Sequence, residues 1–380
     1  YAFNLIQKGR KKVAGAPKSN LARKVSKVGV VGAGLMASQL ALLLVRNLKC
    51  PIVISDLDQA RVDKGVEYIK AELGKLVEKK RMSQESANRL SALIIGTTNK
   101  ADYAGCDFII EAVFEELQLK HISPECVLAT NTSSLSVEKM SAGLQHPNRV
   151  VGFHFFNPVA VMPLLEIART PATDDETTAT ALAIGKELKK TMVIAKDAPG
   201  FIVNRLLTRF MGEITDAMDE GTPYDVADNA LREIGFPMTP FELFDLVGPG
   251  VALHVSETLH NNLGDRYRIS PTIKRLVENN VRTIYIKDDK GAKQPNPAAI
   301  ALMEKGSNPS TSEQVRDRAL KALAQEARMM IDEGVSSATD IDLAMMLGAG
   351  WPLMLGGILP YLDRAGYSNP RFHELGVASL

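Results

Sequence analysis

Val28-Gly-Val-Val-Gly-Ala-Gly-Leu-Met-Ala37, an apolar run to Leu48, and then Ile52-Val-Ile-Ser-Asp56 decide how this chain folds. The order is strand, glycine turn, helix and second strand, with a carboxylate closing the second strand. Gly32 permits a sharp turn, and Gly34 lets backbone approach a pyrophosphate. Ala37 takes the place of a third glycine and is small enough for close packing of helix on strand. Ala37, Leu40, Ala41 and Leu44 fall at i, i+3, i+4 and i+7, a core-facing stripe. The first N–H groups of that helix, at Leu35 and Met36, then face the phosphates. Asp56 lies where an acid accepts hydrogen bonds from a ribose 2′-hydroxyl. No arginine directly follows it to receive a 2′-phosphate, Arg61 being the nearest, so NAD is expected rather than NADP. A glycine fingerprint alone is weak. Here strand, helix, spacing and terminal acid coincide.

A chain of 380 residues has room for two or three domains. Lys and Arg number 45 against 44 Asp and Glu, which leaves no electrostatic footprint for wholesale nucleic-acid binding. Cys50, Cys106 and Cys126 are scattered without ligand spacing, and the histidines form no cluster with them, so no metal is expected. Such cysteine use suits a reducing compartment. No apolar run is long enough for a membrane span. The nearest, residues 345–359, is broken by Gly348, Gly350, Pro352, Gly356 and Gly357.

Residues 1–26 are basic and free of acids, and are expected to be a solvated linker from an upstream domain rather than a transit peptide. Strand-like segments then alternate with helical patterns at 27–31, 52–55, 93–96, 108–111, 127–131, 150–155 and 164–168. This predicts a doubly wound sheet over 27–195. The connections around Lys120–His121 and Asn280–Val281 are expected to be shortened, the first because a parallel crossover needs a dozen or more residues. From Lys196 onward helices dominate and the sequence echoes itself. Asp219-Glu-Gly221, Asp225-Val-Ala-Asp228 and Gly235-Phe-Pro237 return as Asp332-Glu-Gly334, Asp340-Ile-Asp342 and Gly350-Trp-Pro352. Two copies of one helical unit are expected, at 196–294 and 313–380, joined by a connector at 295–312. The expected fold class is α/β, a doubly wound Rossmann-type domain followed by duplicated all-α domains.

Polar residues of interest sit at strand ends. Asn131-Thr-Ser133-Ser-Leu135 follows Val127-Leu-Ala-Thr130, at the carboxyl end of a strand, where open α/β sheets bind ligands. His154 lies in Gly152-Phe-His-Phe-Phe-Asn157-Pro158, and Glu166 twelve residues later in Leu164-Leu-Glu-Ile167. Two strands joined by a Pro-containing loop would bring His154 and Glu166 side by side. A carboxylate on one ring nitrogen fixes the tautomer and stabilises an imidazolium, leaving the other nitrogen for a substrate proton. Taken singly, each residue is more often structural. A lone strand histidine usually sits hydrogen-bonded in the core, and Asn131 or Ser133 can simply cap the next helix.

Together, Gly32-Ala-Gly34-Leu-Met36, Asn131-Thr-Ser-Ser-Leu135, Gly152-Phe-His-Phe-Phe-Asn-Pro158, Leu165-Glu166 and Asp197-Ala-Pro-Gly-Phe-Ile-Val-Asn-Arg205 resemble the L-3-hydroxyacyl-CoA dehydrogenases of fatty acid β-oxidation. The resemblance covers nearly all of the chain after residue 27. The duplicated tail is similar to the long form in multifunctional β-oxidation α-subunits, where an enoyl-CoA hydratase domain precedes. The resemblance implies that His154 is a general base, with Glu166 its partner. It implies that Ser133 holds the substrate 3-oxygen, and that Asn204, on the helix opened by Pro199, helps to place substrate and His154. Glu115 and Lys120 match cofactor contacts, with Asn131 and Ser133 at the same strand-end site and Asn157 beside the nicotinamide. The implied reaction is NAD-dependent oxidation of an (S)-3-hydroxyacyl-CoA thioester to its 3-oxo form, in a cleft between the sheet and helical domains. A thiolase subunit in a multienzyme complex, and an oligomer, are the implied partners. The cytoplasm is the expected location, for want of any convincing address. Two rivals remain: a dehydrogenase of free 3-hydroxy acids, which would usually rely on a lysine base, and a non-catalytic NAD-binding scaffold.

Overall fold

The computed structural model describes residues 1–111, 122–133 and 135–375. It divides into two compact units. One comprises Ile6–Thr132 and Ser136–Asp197, the other Tyr1–Leu5, Ser133–Leu135 and Ala198–Leu380. The basic opening segment contains a helix, α1 (Ala2–Lys11), with Ala2 and Ile6 buried.

The sheet-bearing unit then runs β1 (Val28–Val31), α2 (Leu35–Leu48), β2 (Ile52–Ser55), α3 (Gln59–Glu78), α4 (Gln84–Ala92) and β3 (Ile94–Thr97). It continues through β4 (Phe108–Glu111), β5 (Val127–Thr130), α5 (Val137–Ser141), β6 (Val150–Phe155), β7 (Leu164–Arg169), α6 (Asp175–Glu187) and β8 (Thr191–Lys196). Among the described residues these eight strands form one sheet in the order β3-β2-β1-β4-β5-β6-β7-β8. Strands β1 to β6 are parallel, β7 runs antiparallel to β6, and β8 pairs parallel with β7. The order reverses between β1 and β4, and the crevice at such a reversal is where doubly wound sheets take dinucleotides.

The central strands carry near-continuous apolar runs because both faces are covered. Val28, Val30, Ile52, Ile54, Phe108 and Ile110 are all buried, and α2 lays Leu40, Ala41, Leu44 and Val45 against them. Strand β8 was not among the expected strands. Its signal is the short run Met192-Val-Ile-Ala195, which pairs with β7 in the register Leu165↔Met192 and Glu166↔Val193. The expected short connection at Lys120–His121 lies outside the described residues.

The helical unit contains α7 (Val203–Asp219), α8 (Tyr224–Asn229), α9 (Pro240–Val247), α10 (Pro249–Leu263) and α11 (Pro271–Glu278). A small hairpin, β9 (Tyr285–Lys287) and β10 (Lys293–Pro295), precedes α12 (Pro297–Leu302), α13 (Ser312–Asp332), α14 (Ala338–Gly348) and α15 (Ile358–Arg364). The stretch expected as a connector, 295–312, includes α12. Asn280 adopts φ 56° and the Val281 N–H reaches the Leu276 carbonyl at 2.9 Å, a left-handed cap closing α11.

The duplication is visible atom by atom. Asp228, closing α8, accepts the Phe241 N–H at the start of α9 at 2.7 Å and the Tyr285 hydroxyl at 2.5 Å. Asp342, on α14, accepts the Leu359 N–H at the start of α15 at 2.9 Å and the Tyr1 hydroxyl at 2.6 Å. Phe236 and Trp351, the aromatics of the two Gly-aromatic-Pro turns, stack edge to face with centroids 5.6 Å apart. Helices α7 and α13 pack along each other, burying Leu206, Phe210 and Ile214 from one and Leu320, Leu323 and Met330 from the other. Each such side chain contributes about 1.5–3 kcal/mol of burial. Neither copy can cover that face alone.

Among the described residues, no helix is long and apolar enough to cross a membrane, and no group of three His, Cys, Asp or Glu side chains could hold a metal.

Candidate active site

At the end of β1 the chain turns through Gly32 at φ 101°, a conformation that side-chain-bearing residues rarely adopt. Gly34 is the N-cap of α2 and offers no side chain to the helix, and a Cβ placed there would meet nothing within 4 Å. The opening N–H groups of α2, at Leu35 and Met36, thus have neither an intrahelical carbonyl nor a capping side chain. Asp56 faces the same turn. One carboxylate oxygen accepts the Ala33 N–H at 3.1 Å and the other accepts the Leu57 N–H at 2.8 Å. Each oxygen has a lone pair left for a hydroxyl. Arg61 reaches Asp56 only at 3.8 Å and is 71% exposed. An uncapped helix start, open space beside Gly34 and an anchored acid fit the pyrophosphate and ribose of NAD.

On the same unit, antiparallel pairing of β6 and β7 sets His154 opposite Glu166. Their side chains meet at 2.7 Å between Nδ1 and Oε2, with the histidine 6% and the glutamate 0% exposed. The Phe156 ring stands edge-on to the imidazole, with centroids 4.6 Å apart. Asn157 is exposed at the start of the loop that links the two strands. Asn131, just past β5, accepts the Phe155 N–H on its side-chain oxygen at 2.9 Å, so its amide is pinned beside the strand that carries His154.

In the other unit, Asn204 lies in the first turn of α7 and its side-chain amide donates to the Ser133 carbonyl at 3.3 Å. The turn before α7 depends on Gly200, at φ 74°. A Cβ there would lie 2.9 Å from the Arg205 nitrogen and 3.1 Å from the Leu259 side chain. Glu115 and Lys120 lie outside the described residues. The other named residues fall into three local groups: the glycine turn with Asp56, the His154–Glu166 pair with Asn131 and Asn157 on neighbouring strands and loop, and the Asn204–Ser133 contact.

Two supporting residues had no role in the sequence reading. Lys190, buried before β8, donates its ammonium to the carbonyls of Val159 at 2.5 Å and Met162 at 2.8 Å, fastening the β6–β7 loop that begins at Asn157. Burial holds its pKa below the usual lysine value. Asp197, which ends β8 in the Asp-Ala-Pro-Gly motif, accepts the Ser136 hydroxyl at 3.0 Å and the N–H groups of Val137 at 3.1 Å and Glu138 at 2.8 Å. It thus satisfies the first two N–H groups of α5, the helix that follows the Asn131–Leu135 motif and whose N-cap residue is Ser136. The three cysteines are buried thiols, and burial pushes that of Cys126 up to about 12.

Residues 27–198 match the family described as 3-hydroxyacyl-CoA dehydrogenase, NAD binding domain, and residues 200–283 and 315–369 match its C-terminal domain. The fatty acid oxidation complex subunit alpha of Shewanella amazonensis is 32% identical over 365 residues, covering 90% of this chain and 51% of that protein. The peroxisomal fatty acid beta-oxidation multifunctional protein MFP2 of Arabidopsis thaliana is 31% identical over 402 residues, covering 98% of this chain and 55% of that one. The chain thus spans about half the length of the curated relatives it matches. The crystal structure of (S)-3-hydroxybutyryl-CoA dehydrogenase PaaH1 from Ralstonia eutropha superposes with a TM-score of 0.63 at 30% identity, over 68% of this chain and 96% of that one. The chain belongs to the 3-hydroxyacyl-CoA dehydrogenase family, and its sheet-bearing unit is that family's NAD binding domain.

Proposed function

We propose that this chain oxidises the 3-hydroxyl of an (S)-3-hydroxyacyl-CoA thioester to the 3-oxo group. NAD, when bound, supplies the acceptor for the hydride that leaves C3. His154 takes the hydroxyl proton on Nε2, since Nδ1 is committed to Glu166. The carboxylate holds the ring in one tautomer and offsets the positive charge that develops on it. Ser133 and Asn204 hold the substrate 3-oxygen, and Asn131 and Asn157 serve the nicotinamide end. Gly32, Gly34, Leu35, Met36 and Asp56 cradle the dinucleotide. Glu115 and Lys120 remain proposed cofactor contacts.

The observation that carries the reading is the 2.7 Å His154–Glu166 pair, a buried acid on a buried imidazole in the same sheet that carries the dinucleotide turn. A scaffold has no use for it, and a free-acid dehydrogenase with a lysine base has no need of it. The relatives are named as a subunit of a fatty acid oxidation complex and as a multifunctional protein. Those names support a larger multifunctional β-oxidation assembly; an upstream hydratase domain, a thiolase partner and an oligomeric form are proposed on the sequence resemblance alone. The division into a linker at 1–26, a dinucleotide domain at 27–195, helical copies at 196–294 and 313–380, and a connector at 295–312 is part of the same proposal. So is a cytoplasmic location, which fractionation showing the protein in peroxisomes would overturn.

The activity is tested by NADH absorbance with (S)-3-hydroxybutyryl-CoA and a C16 analogue, with NAD and NADP in parallel. Turnover with NAD and either thioester is expected. NAD binding without turnover of either thioester would refute the dehydrogenase reading.

A further inference from the structure

Helices α7 and α13 meet through a charge lattice that repeats itself. Arg205, Glu213 and Glu220 on the first copy recur with the same spacing as Arg318, Glu326 and Glu333 on the second. Arg205 donates from Nε to Glu326 at 2.7 Å and from its terminal nitrogens to Glu333 at 2.7 and 3.0 Å. Arg318 returns the pattern, to Glu213 at 3.2 and 3.0 Å and to Glu220 at 2.6 and 3.2 Å. Each copy presents its arginine to the other's two glutamates, the self-complementary arrangement of a two-fold interface.

The halves differ in depth. The difference lies at the Arg205–Glu326 pair, whose side chains are both 0% exposed, whereas Arg318 is 31% exposed and its partner Glu213 14%; Glu333, at 47%, is more exposed than its counterpart Glu220 at 24%. Arg266 adds a second guanidinium to Glu326 at 2.7 Å, and the Tyr267 hydroxyl donates to the Arg205 carbonyl at 2.9 Å. They differ also in what precedes the arginine. In the first copy it is Asn204, whose amide meets Ser133. In the second it is Asp317, which pairs with Lys321 at the surface.

We propose that Glu326 and Glu333 of the second copy are positioning residues for Asn204. By gripping the Arg205 guanidinium they fix the first turn of α7, and so the amide that the proposed function places on the substrate. The second copy then completes the site without touching the substrate. This rests on that function for its kinetic consequence, and on geometry alone for its structural one.

The test uses the full chain with E326Q, E333Q, R205K and E326D, and the mirror pair E213Q/E220Q, whose arginine follows Asp317 rather than Asn204, as comparison. Every pair-breaking variant lowers the melting temperature. Only E326Q, E333Q and R205K are expected to lower kcat, by about 10- to 100-fold as misplaced groups do, with the KM for NAD unchanged. E326D should recover part of that loss, and E213Q/E220Q should stay within about twofold of the wild type. An independent readout is amide hydrogen exchange over residues 200–207, which E326Q should quicken and E213Q/E220Q should not. If the wild type fails to turn over the thioester, the function fails and the exchange experiment still decides the positioning. Equal kcat losses in both halves of the lattice, or unaltered exchange at 200–207 in E326Q, would overturn the proposal.

Discussion

Replacing Glu166 with glutamine isolates what the carboxylate does for His154. The side chains keep nearly the same volume, and a 2.7 Å contact to Nδ1 can still form. What is lost is the negative charge opposite the ring once Nε2 has taken the proton. With charge centres about 4 Å apart and an effective dielectric of about 20, that attraction is worth about 4 kcal/mol. Proton transfer is partial in the transition state, so between half and all of that value is felt there. The corresponding fall in kcat is about 30- to 1,000-fold. Folding should not suffer, because a buried carboxylate carries a desolvation cost that a neutral amide lacks. The assay is steady-state NADH formation with (S)-3-hydroxybutyryl-CoA, with NAD affinity and melting temperature measured on the same sample. Turnover within about threefold of wild type, with NAD still bound, would refute the reasoning, since the charge would then be contributing less than about 0.7 kcal/mol.

Burial of Asp342 pushes its pKa from the ordinary 3.8 to about 7, and Asp340 and Asp216 are pushed to about 6 and about 7 for the same reason. The folded state therefore binds more protons than the unfolded chain between about pH 4 and pH 7, and stability falls as pH rises across that window. Asp342→Asn should make the urea-unfolding free energy less steep between pH 4 and 7.5, by at most roughly 4 kcal/mol; an unaltered slope would show that Asp342 does not titrate there. Asp197→Ala removes the acceptor for three donors at the start of α5 and should lower stability by about 2–3 kcal/mol in chemical denaturation; a loss under about 0.5 kcal/mol would deny it that role. Asp56→Ala should raise the KM for NAD by about 10- to 100-fold and leave kcat at saturating NAD little changed, as loss of one or two charge-assisted hydrogen bonds predicts; an unchanged KM would remove Asp56 from the ribose.

What was legible in the sequence was short-range or periodic. Gly32, Gly34 and Asp56 belong to one strand-turn-helix-strand unit whose spacing is fixed by its own geometry. His154 and Glu166 sit on consecutive strands, so a single connection brings them into register. The copies in the helical unit announced themselves through glycine turns, and the atoms bear this out in the matched roles of Asp228 and Asp342. Lys190 was not legible, because its acceptors are backbone carbonyls of Val159 and Met162 and leave no side-chain signature. Asp197 was hidden with β8. Its position beside α5 follows only once that strand is added next to β7. The Arg205 lattice was open to discovery. Its spacing repeats in both copies, but opposite charges on a helix face usually signal a solvated surface, and only packing shows that Arg205 and Glu326 are wholly buried.

His154→Gln tests the central claim most directly, when turnover of (S)-3-hydroxybutyryl-CoA and NAD affinity are measured on one preparation. Loss of the general base is expected to lower kcat by about 10²- to 10⁴-fold while the dissociation constant for NAD stays within about twofold. NAD bound as in the wild type together with near-normal turnover would contradict the account, because no proton-accepting role would then remain for the His154–Glu166 pair.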